Sequence, residues 1–324
     1  MPRKLVISLS LLAALAVICW LLTPPRLVNS AATPDLPEDL DAYLVDRENA
    51  AAERFPLIPG TEKRIRWQAA GERSEYALVY LHGFSGSRQG LLPATELIAD
   101  ALGANLFETR LRGHGRAEQG LVGIRAEDWL EDAAEALAIG ARLGDRIILM
   151  GTSTGATLAM AMVDHPSIAD VEAIVMISPN FRPYDPKSAW VTAPGGPLLL
   201  RFLVGQTHSW EPANALQERY WTTTYPADSV VEVMRLVDLV DARLPLALGQ
   251  SVLTLYSTHD EVVFPSATEE ALKQIDSPNM RTIDLGEVGD RNNHVLAGDI
   301  LSPESTEEVV RLVVEFIRDI GRVN

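Results

Sequence analysis

Cysteine is almost absent from this sequence of 324 residues, in which Cys19 stands alone. One cysteine cannot form an intrachain disulfide, and it cannot supply the several thiolates of a multi-cysteine metal site or an iron–sulfur cluster. Common cofactor motifs are absent as well, because no G-x-G-x-x-G opens a helix and no Walker or H-E-x-x-H pattern occurs. The sequence therefore predicts a protein that uses no nucleotide cofactor and no metal ion.

Basic residues are fewer than acidic residues in this sequence. The sequence has 28 lysines and arginines against 44 aspartates and glutamates, which gives a formal net charge of -16. A protein that binds nucleic acid carries a basic footprint, so this composition argues against a nucleic-acid partner. Hydrophobic residues make up 47% of the chain, which excludes a disordered protein and is enough to form a large core.

The amino-terminal segment differs from the rest of the chain, because residues 5–22 form an apolar run without a charge. As a helix this run would span about 27 Å at 1.5 Å per residue, close to the roughly 30 Å hydrocarbon core of a bilayer. Arg3 and Lys4 precede it, and such residues stay in the cytoplasm. We therefore expect residues 1–22 to be a single-pass signal anchor in the inner membrane, with the main domain in the periplasm.

Other interpretations of this segment remain open. The small residues Ser30, Ala31 and Ala32 offer a site for signal peptidase, and cleavage there would give a secreted or periplasmic protein. A lipoprotein signal fits less well, because Ile18 stands before Cys19 where a small residue is needed. The last alternative is a helix buried in a soluble protein.

Proline separates this segment from the main domain. Residues 23–60 are predicted to be a linker, because they contain acidic residues between six prolines. These prolines are Pro24, Pro25, Pro34, Pro37, Pro56 and Pro59. From about residue 63, short apolar runs typical of buried strands alternate with segments of helical period. This alternation predicts an α/β fold, in which a mainly parallel sheet is covered by helices on both faces.

The predicted strands and helices can be given as ranges. The strands are expected at 76–81, 104–111, 146–150, 171–177, 252–256 and 280–285. The helices are expected at 91–102, 129–143, 156–163, 267–275 and 307–320.

Residues 181–248 interrupt this alternation and contain eight of the twenty aromatic residues of the chain. A connection of this length is uncommon without a function. We therefore predict a cap inserted between two parts of the core, 61–180 and 249–324. Its aromatic rings either pack the core of the cap itself or line an apolar pocket, and both interpretations are open.

The pattern G-x-S-x-G occurs at residues 151–155, directly after the predicted strand 146–150 and before the predicted helix 156–163. This placement is typical of a nucleophile elbow, in which the serine lies on a sharp strand-to-helix turn that requires small residues around it. Ser153 is therefore the candidate nucleophile. The alternative is an ordinary helix N-cap.

A serine nucleophile needs a base, and the base needs a carboxylate that orients it. Hydrolases with a nucleophile elbow carry these groups in the order serine, acid, histidine, each after a strand. Asp260 follows the predicted strand 252–256, and His294 is the one histidine of six that lies beyond Asp260 in the chain. Chain order therefore selects Ser153, Asp260 and His294, with Glu261 as the open alternative for the acid.

Acyl transfer through a serine also needs backbone N–H donors for the oxyanion of the tetrahedral intermediate. The N–H of Thr154 follows the candidate nucleophile at the start of a predicted helix, whose dipole favours negative charge. The glycine-rich residues 82–86 follow the predicted strand 76–81, and the N–H of Phe84 is the second candidate donor. The alternative is that residues 82–86 form an ordinary turn.

The order of these motifs resembles that of α/β-hydrolases over residues 65–320. The shared motifs are His-Gly-Phe-Ser-Gly at 82–86, Arg-Gly-His-Gly at 112–115, Asp-Trp at 128–129, Gly-Thr-Ser-Thr-Gly at 151–155, Asp260 and His-Val-Leu at 294–296. The sequence is most similar to bacterial carboxylesterases and to monoacylglycerol lipases or lysophospholipase-like enzymes, a group that also includes serine aminopeptidases.

This resemblance implies roles for individual residues. In the family, the residue after His-Gly and the residue after the serine supply the oxyanion hole, and these positions are Phe84 and Thr154 here. The Gly-His-Gly loop is architectural in the family, so His114 is not expected to be catalytic. Ala156 stands where relatives often have a second glycine, and the predicted anchor and linker lie outside the shared core.

We therefore expect a serine hydrolase that cleaves small-molecule or lipid-derived carboxylic esters through an acyl-enzyme. A serine aminopeptidase or thioesterase on the same fold is the first alternative. The cap contains acidic residues that could hold a substrate ammonium group, namely Glu211, Glu218, Asp228 and Glu232. A hydrolase-fold binding protein without turnover is the second alternative, and the sequence does not predict an oligomeric state.

Overall fold

A computed structural model of the chain describes residues 17, 18, 20 and 23–322. In this part of the chain the strands are β1 (Arg64–Arg66), β2 (Ser74–Leu81), β3 (Asn105–Glu108), β4 (Gly144–Thr152), β5 (Val171–Ile177), β6 (Thr207–Ser209), β7 (Thr224–Pro226), β8 (Leu246–Ala247), β9 (Ser251–Tyr256), β10 (Ile275–Asp276) and β11 (Met280–Asp284). The α-helices are α1 (Leu40–Ala52), α2 (Ala94–Leu102), α3 (Ala126–Leu143), α4 (Thr154–Ala161), α5 (Gly196–Val204), α6 (Ala215–Tyr220), α7 (Asp228–Asp241), α8 (Pro265–Leu272) and α9 (Thr306–Gly321).

The main sheet of the described residues has seven strands in the order β1-β3-β2-β4-β5-β9-β11. Its strands are parallel except for β1, which pairs antiparallel with β3 at one edge. The six parallel strands correspond to the six that the sequence predicts, so the predicted mainly parallel sheet is confirmed. Strand β1 is a half-buried Arg-Ile-Arg segment, which is too short to show a strand pattern in the sequence.

Helices cover both faces of the sheet, as strands without a polar face require. Along β2 the side chains alternate, so that Val79 and Leu81 enter the core beneath α3 and α4, whereas Leu78 and Tyr80 enter the core beneath α2 and α9. Because every side chain from Ala77 to Leu81 is buried, the strand appears in the sequence as a continuous apolar run.

Residues 181–248 leave the sheet after β5 and return to it before β9. They contain α5, α6, α7 and the antiparallel pair of β6 and β7. Helix α7 packs against both the core and the cap. Its Leu236 and Val240 lie in the core beside the sheet. Its Val231 and Met234 lie in a smaller cluster with α5 of the cap. Helix α7 therefore connects the cap to the core.

Residues 23–60 differ from the expected linker, because they lie against the domain and include α1. Leu27 is 2% exposed, and the side chain of Asn29 donates to the Ala161 carbonyl at 2.9 Å. Helix α1 starts where the Asp39 carboxylate accepts the Ala42 N–H at 2.9 Å, a standard N-cap. We refer to residues 23–60 as the strap.

The predicted membrane anchor at residues 1–22 lies outside the described residues, apart from residues 17, 18 and 20. Within the described part of the chain, none of the helices combines the length and the apolar character that a membrane crossing needs. The strap therefore begins, at Thr23, directly after the predicted anchor.

The packing of the strap leads to a prediction about stability. Replacing Leu27 by alanine should lower the free energy of unfolding by about 2–5 kcal/mol, because a buried leucine is removed from the core. Its neighbour Val28 is 65% exposed, so Val28→Ala should change the free energy of unfolding by about 0.5 kcal/mol or less. Equilibrium urea unfolding measures both values, and equal effects would contradict the packed strap.

Candidate active site

Ser153 occupies the turn between β4 and α4, with a backbone φ of 54° and ψ of -120°. This conformation costs energy for a residue with a side chain. The turn is also tight, because a Cβ atom on Gly155 would lie 2.1 Å from the Leu81 carbonyl oxygen. A Cβ atom on Gly151 would lie 2.4 Å from the carbonyl oxygen of Gly155. Both glycines of the G-x-S-x-G motif are therefore required by backbone packing, as in a nucleophile elbow.

Hydrogen bonds to and from the chain around the end of β5 hold this turn. The Ser153 N–H donates to the Ile177 carbonyl at 2.8 Å, and the Asn180 N–H donates to the Ser153 carbonyl at 3.3 Å. The Ser153 side chain lies in the wall of a cavity. The strained turn is thus held from the neighbouring strand and places the serine at this wall.

His294 and Asp260 are in direct contact at the same edge of the sheet. The distance from His294 Nδ1 to Asp260 Oδ2 is 2.7 Å, and both side chains are buried. The other carboxylate oxygen of Asp260 accepts the N–H groups of Val262 and Val263 at 2.8 and 2.9 Å. Because the carboxylate accepts the hydrogen bond, the proton lies on Nδ1, and Nε2 of His294 is the basic nitrogen.

The charge of Asp260 also changes the acidity of the imidazole. Burial by itself lowers the pKa of His294, but the carboxylates of Asp260 and Asp290 oppose burial and raise the pKa above 6.5 overall. Asp260 acts through both its charge and its hydrogen bond. This arrangement favours the imidazolium that forms when His294 takes a proton.

The loop that carries His294 is held by residues that the sequence did not identify. Asp290 is buried, and its Oδ2 accepts the N–H groups of His294 and Val295 at 3.1 and 3.0 Å. The hydroxyl of Ser178 donates to the His294 carbonyl at 2.7 Å. An aspartate that bonds nearby backbone N–H groups is typical of loops, which is the signal that could have found Asp290.

Residues 82–86, here the β2 loop, pass directly beside the serine. A Cβ atom on Gly83 would lie 3.2 Å from the Ser153 Cβ, so the absence of a side chain permits this close approach. Phe84 and Thr154 both lie in the wall of the cavity that contains Ser153. The two residues whose N–H groups are predicted to bind an oxyanion are therefore neighbours of the candidate nucleophile.

Two buried histidines connect the β2 loop to residues 111–114. One of them, His82, belongs to the loop, and the other, His114, lies opposite it. Nε2 of His114 accepts the Ser85 N–H at 3.0 Å, and Nε2 of His82 accepts the Leu111 N–H at 3.1 Å. Burial lowers the pKa of His82 to about 4 and holds the pKa of His114 well below its ordinary value. Both rings are therefore neutral near pH 7 and position the backbone.

The Arg-Gly-His-Gly and Asp-Trp motifs contact each other. The indole of Trp129 donates to the Arg112 carbonyl at 3.1 Å, and the Arg112 guanidinium donates to Asp128 at 3.0 Å. Asp132, one turn further along α3, accepts the Arg112 N–H at 2.6 Å. Burial raises the pKa of Asp132 to about 6. Helix α3 thereby fixes the loop that contains His114, in agreement with an architectural role.

The cap contacts the β2 loop from the opposite side, and no sequence pattern predicted these contacts. The Thr222 N–H donates to the Ser85 carbonyl at 2.7 Å. The ring of Trp221 lies so close to Gly86 and Gly90 that added Cβ atoms would be 3.1 and 2.9 Å from it. The geometry of the β2 loop therefore depends on the cap as well as on the core.

A cavity of about 500 Å³ lies between the cap and the carboxyl ends of the strands. Ser153 and His294 line it on the core side. The cap contributes four aromatic side chains, which are Tyr184, Trp210, Trp221 and Tyr225. Half of the aromatic residues of 181–248 thus line a pocket, and its size and lining are typical of a small-molecule site.

Charged groups around the cavity are few. They are Asp185, Glu261, Asp290 and Arg291. Glu261, the alternative acid, lines the cavity, whereas Asp260 is the carboxylate bonded to His294. In the described part of the chain, no group of three or more histidine, cysteine, aspartate or glutamate side chains is arranged to hold a metal ion.

Comparison with known proteins gives one match to a family model. The model, described as the Alpha/beta hydrolase family, matches residues 78–310. No curated protein sequence is significantly similar to the chain.

Several solved structures share the fold. One belongs to the metagenome-derived lipolytic enzymes LipS and LipT, with 22% identity, a TM-score of 0.66, and coverage of 81% of this chain and 99% of that chain. A monoacylglycerol lipase from Paleococcus ferrophilus has 16% identity, a TM-score of 0.60, and coverage of 80% and 98%. A soluble variant of monoglyceride lipase from Saccharomyces cerevisiae has 11% identity, a TM-score of 0.57, and coverage of 92% and 99%.

The contact between His294 and Asp260 leads to a prediction about acidity. Asp260→Asn should lower the pKa of His294, because the neutral amide removes the charge that opposes burial. An NMR titration of the imidazole resonances measures this pKa. Glu261→Gln is the matched control and should leave the pKa of His294 nearly unchanged. A larger decrease in the Glu261 variant would show that Glu261 is the partner of the histidine.

Proposed function

Because the chain belongs to the alpha/beta hydrolase family, we propose that it is a serine hydrolase that cleaves carboxylic esters through an acyl-enzyme. The observation that carries this proposal is the 2.7 Å contact between Asp260 and His294 on a cavity that Ser153 also lines. A serine at a strained turn, a histidine with an accepting Nε2 and a buried carboxylate are the parts that acyl transfer needs.

The first half of the reaction forms a bond between the serine oxygen and the substrate. Nε2 of His294 takes the hydroxyl proton of Ser153 while Oγ attacks the ester carbonyl carbon. Asp260 stabilises the imidazolium, and the N–H groups of Phe84 and Thr154 stabilise the oxyanion. The carbon–oxygen bond to the alcohol then breaks, and the leaving alcohol takes the proton from His294.

The second half of the reaction releases the acid. A water molecule gives a proton to Nε2 of His294 and attacks the acyl carbon. The bond between that carbon and Ser153 Oγ breaks, and the proton returns to the serine oxygen. The reaction needs no redox partner, because proton transfer and nucleophilic attack account for every atom.

The lining of the cavity supports esters with an apolar acyl chain as substrates. Four aromatic side chains of the cap and the aliphatic Val230 and Val233 of α7 form much of its wall. Apolar pockets of this kind bind the hydrocarbon part of a ligand and leave its orientation to a few polar groups. The structural neighbours include a lipolytic enzyme and two lipases, which agrees with this proposal at the level of the fold.

The four cap acids that the sequence offered for a substrate ammonium group lie away from the cavity. Asp228 and Glu232 are paired with Arg201 and Arg235. In the described structure, none of the four cap acids considered for an ammonium group lines the cavity. Three other acids, Asp185, Glu261 and Asp290, do line it, so an aminopeptidase stays the alternative that the assays below must separate from an esterase.

Replacement of the nucleophile tests the proposed reaction. Ser153→Ala should lower the turnover of p-nitrophenyl esters by about 10⁴–10⁶-fold, because the acyl-enzyme can no longer form. It should also abolish labelling by a fluorophosphonate probe. Ester series of increasing acyl length, assayed beside aminoacyl p-nitroanilides, measure which bond is preferred.

The matched control is Ser167→Ala, which changes a half-buried serine that does not line the cavity. It should retain wild-type turnover and labelling. Unchanged labelling of the Ser153 variant would contradict the assignment of the nucleophile. Turnover of the anilides in preference to the esters would indicate a peptidase, and labelling without turnover of either would indicate a different acyl substrate.

We further propose that residues 1–22 tether the enzyme to the inner membrane, with residues 23–324 in the periplasm. The apolar run at 5–22 and the preceding Arg3 and Lys4 support this orientation. The alternative of signal cleavage gives the same compartment without the tether.

A topology reporter tests this location. Alkaline phosphatase fused after residue 324 should be active, and a fluorescent protein that folds only in the cytoplasm should be dark at the same position. The protein should also remain in the membrane fraction at full length, because an uncleaved anchor holds it there. A smaller soluble product would show signal cleavage, and an inactive phosphatase would overturn the orientation.

A further inference from the structure

Helix α5 in the cap has an apolar surface that the described protein leaves uncovered. Phe202 is 84% exposed, the highest value among its large hydrophobic residues. The other exposed apolar residues of this helix are Leu198, Leu199, Leu203 and Val204. We refer to these five residues as the α5 face. An apolar patch of this kind usually marks an interaction site.

The contacts of α5 with the rest of the protein do not explain why its exposed residues are apolar. Leu200 is the buried large side chain of the helix, and it packs with Val231 and Met234 of α7. A surface helix normally carries polar residues on its outer side. Helix α5 instead has Leu198, Leu199 and Phe202 there, so its outer side is suited to an apolar environment.

Charge on the α5 face is nearly absent. Helix α5 contains no acidic residue, and the Nε of its single basic residue, Arg201, donates to Asp228 at 2.9 Å. The hot spots of protein interfaces are enriched in tryptophan, tyrosine and arginine and poor in leucine and valine, whereas four of the five residues of this face are leucine or valine. Two copies of a chain with a formal net charge of -16 also repel each other. The composition therefore favours a lipid surface over a second copy.

The start of the strap and helix α5 are both bound by side chains of α7. The Nε of Arg235 in α7 donates to the Pro25 carbonyl at 3.0 Å, and Asp228 in α7 binds Arg201 of α5. Asp228 and Arg235 are seven residues apart, which places them on one face of α7 about 10 Å from each other. The strap and α5 are thus attached to the same side of α7.

The short stretch of chain between the proposed anchor and α7 limits how far this side of α7 can lie from the membrane. Three residues, 23–25, join the end of the proposed anchor to the carbonyl that Arg235 holds. Fully extended, they reach at most about 11 Å. If residues 1–22 span the bilayer, the face of α7 that carries the strap and α5 therefore lies close to the lipid surface.

We propose that the α5 face binds the surface of the lipid bilayer and lies in its interfacial region. This proposal rests on the proposed anchor, which brings α5 to the membrane. An interfacial helix inserts its apolar side about 5–10 Å into the boundary between headgroups and acyl chains. Insertion would cover Phe202 and its apolar neighbours without requiring partners for charged groups.

The contact would also bring the cavity near the lipid. Val230 and Val233 of α7 line the cavity, whereas Val231 and Met234 pack in the cluster with α5. Helix α7, about 10 Å in diameter, therefore separates the cavity from α5. The α5 face and the cavity thus lie on two sides of one helix, so docking of α5 would hold the cavity within about one helix diameter of the lipid surface.

Fluorescence on the full-length chain in phosphatidylcholine vesicles tests this contact. In a Cys19→Ser background, Phe202→Cys is labelled with an environment-sensitive fluorophore. Its emission should shift to the blue, and lipids brominated close to the headgroup should quench it more than lipids brominated at the chain end, because the insertion is shallow.

The matched control is Leu97→Cys in the same background, since Leu97 is 42% exposed on α2, across the sheet from α7. The control should show neither the shift nor the quenching. Equal quenching at both positions, or none at position 202, would overturn the proposal. Self-quenching at position 202 that depends on protein density and not on bromination would identify a second copy as the partner, and would also overturn it.

Enzyme assays on the same vesicles separate this proposal from the proposed function. The double variant Leu198→Ser and Phe202→Ser should hydrolyse a soluble short-chain ester at the wild-type rate and lose activity on an ester embedded in the vesicles. Leu97→Ser should change neither rate. Normal hydrolysis of both esters by the double variant would overturn docking and leave the esterase proposal standing.

Discussion

Close backbone packing at the carboxyl ends of β2 and β4 is the constraint on which the candidate site depends. Gly155 approaches the Leu81 carbonyl so closely that no side chain fits there, and Gly83 approaches Ser153 so closely that an added Cβ would force a shift of a few tenths of an ångström. These contacts bring the serine and the β2 loop to one wall of the cavity. Burial then keeps the imidazoles of His82 and His114 neutral, so that each accepts a backbone N–H through Nε2.

The cap has three structural roles. Its aromatic side chains form the wall of the cavity opposite Ser153, and its Thr222 N–H holds the β2 loop. Helix α7 also links α5 and the start of the strap to the core. A cap that moved as a unit would therefore change the pocket and the β2 loop together.

The sequence by itself predicted the order of the core elements and the candidate catalytic residues, because both have local signatures. The central parallel strands β2, β4 and β5 contain continuous apolar runs, and β5 matches its predicted range of 171–177. The G-x-S-x-G pattern between a strand and a helix identifies Ser153 through the sterics of one turn. Chain order and strand ends single out Asp260 and His294, which prove to be in contact.

The tertiary structure decided the features that depend on residues far apart in the chain. Prolines make residues 23–60 resemble a linker, yet Leu27 is buried because a matching surface exists on the folded domain. Asp290 and Trp221 support the site through hydrogen bonds and ring packing that no sequence period encodes. Periodicity records which side of its own element a residue occupies, whereas the partner of that residue is set by how the elements pack.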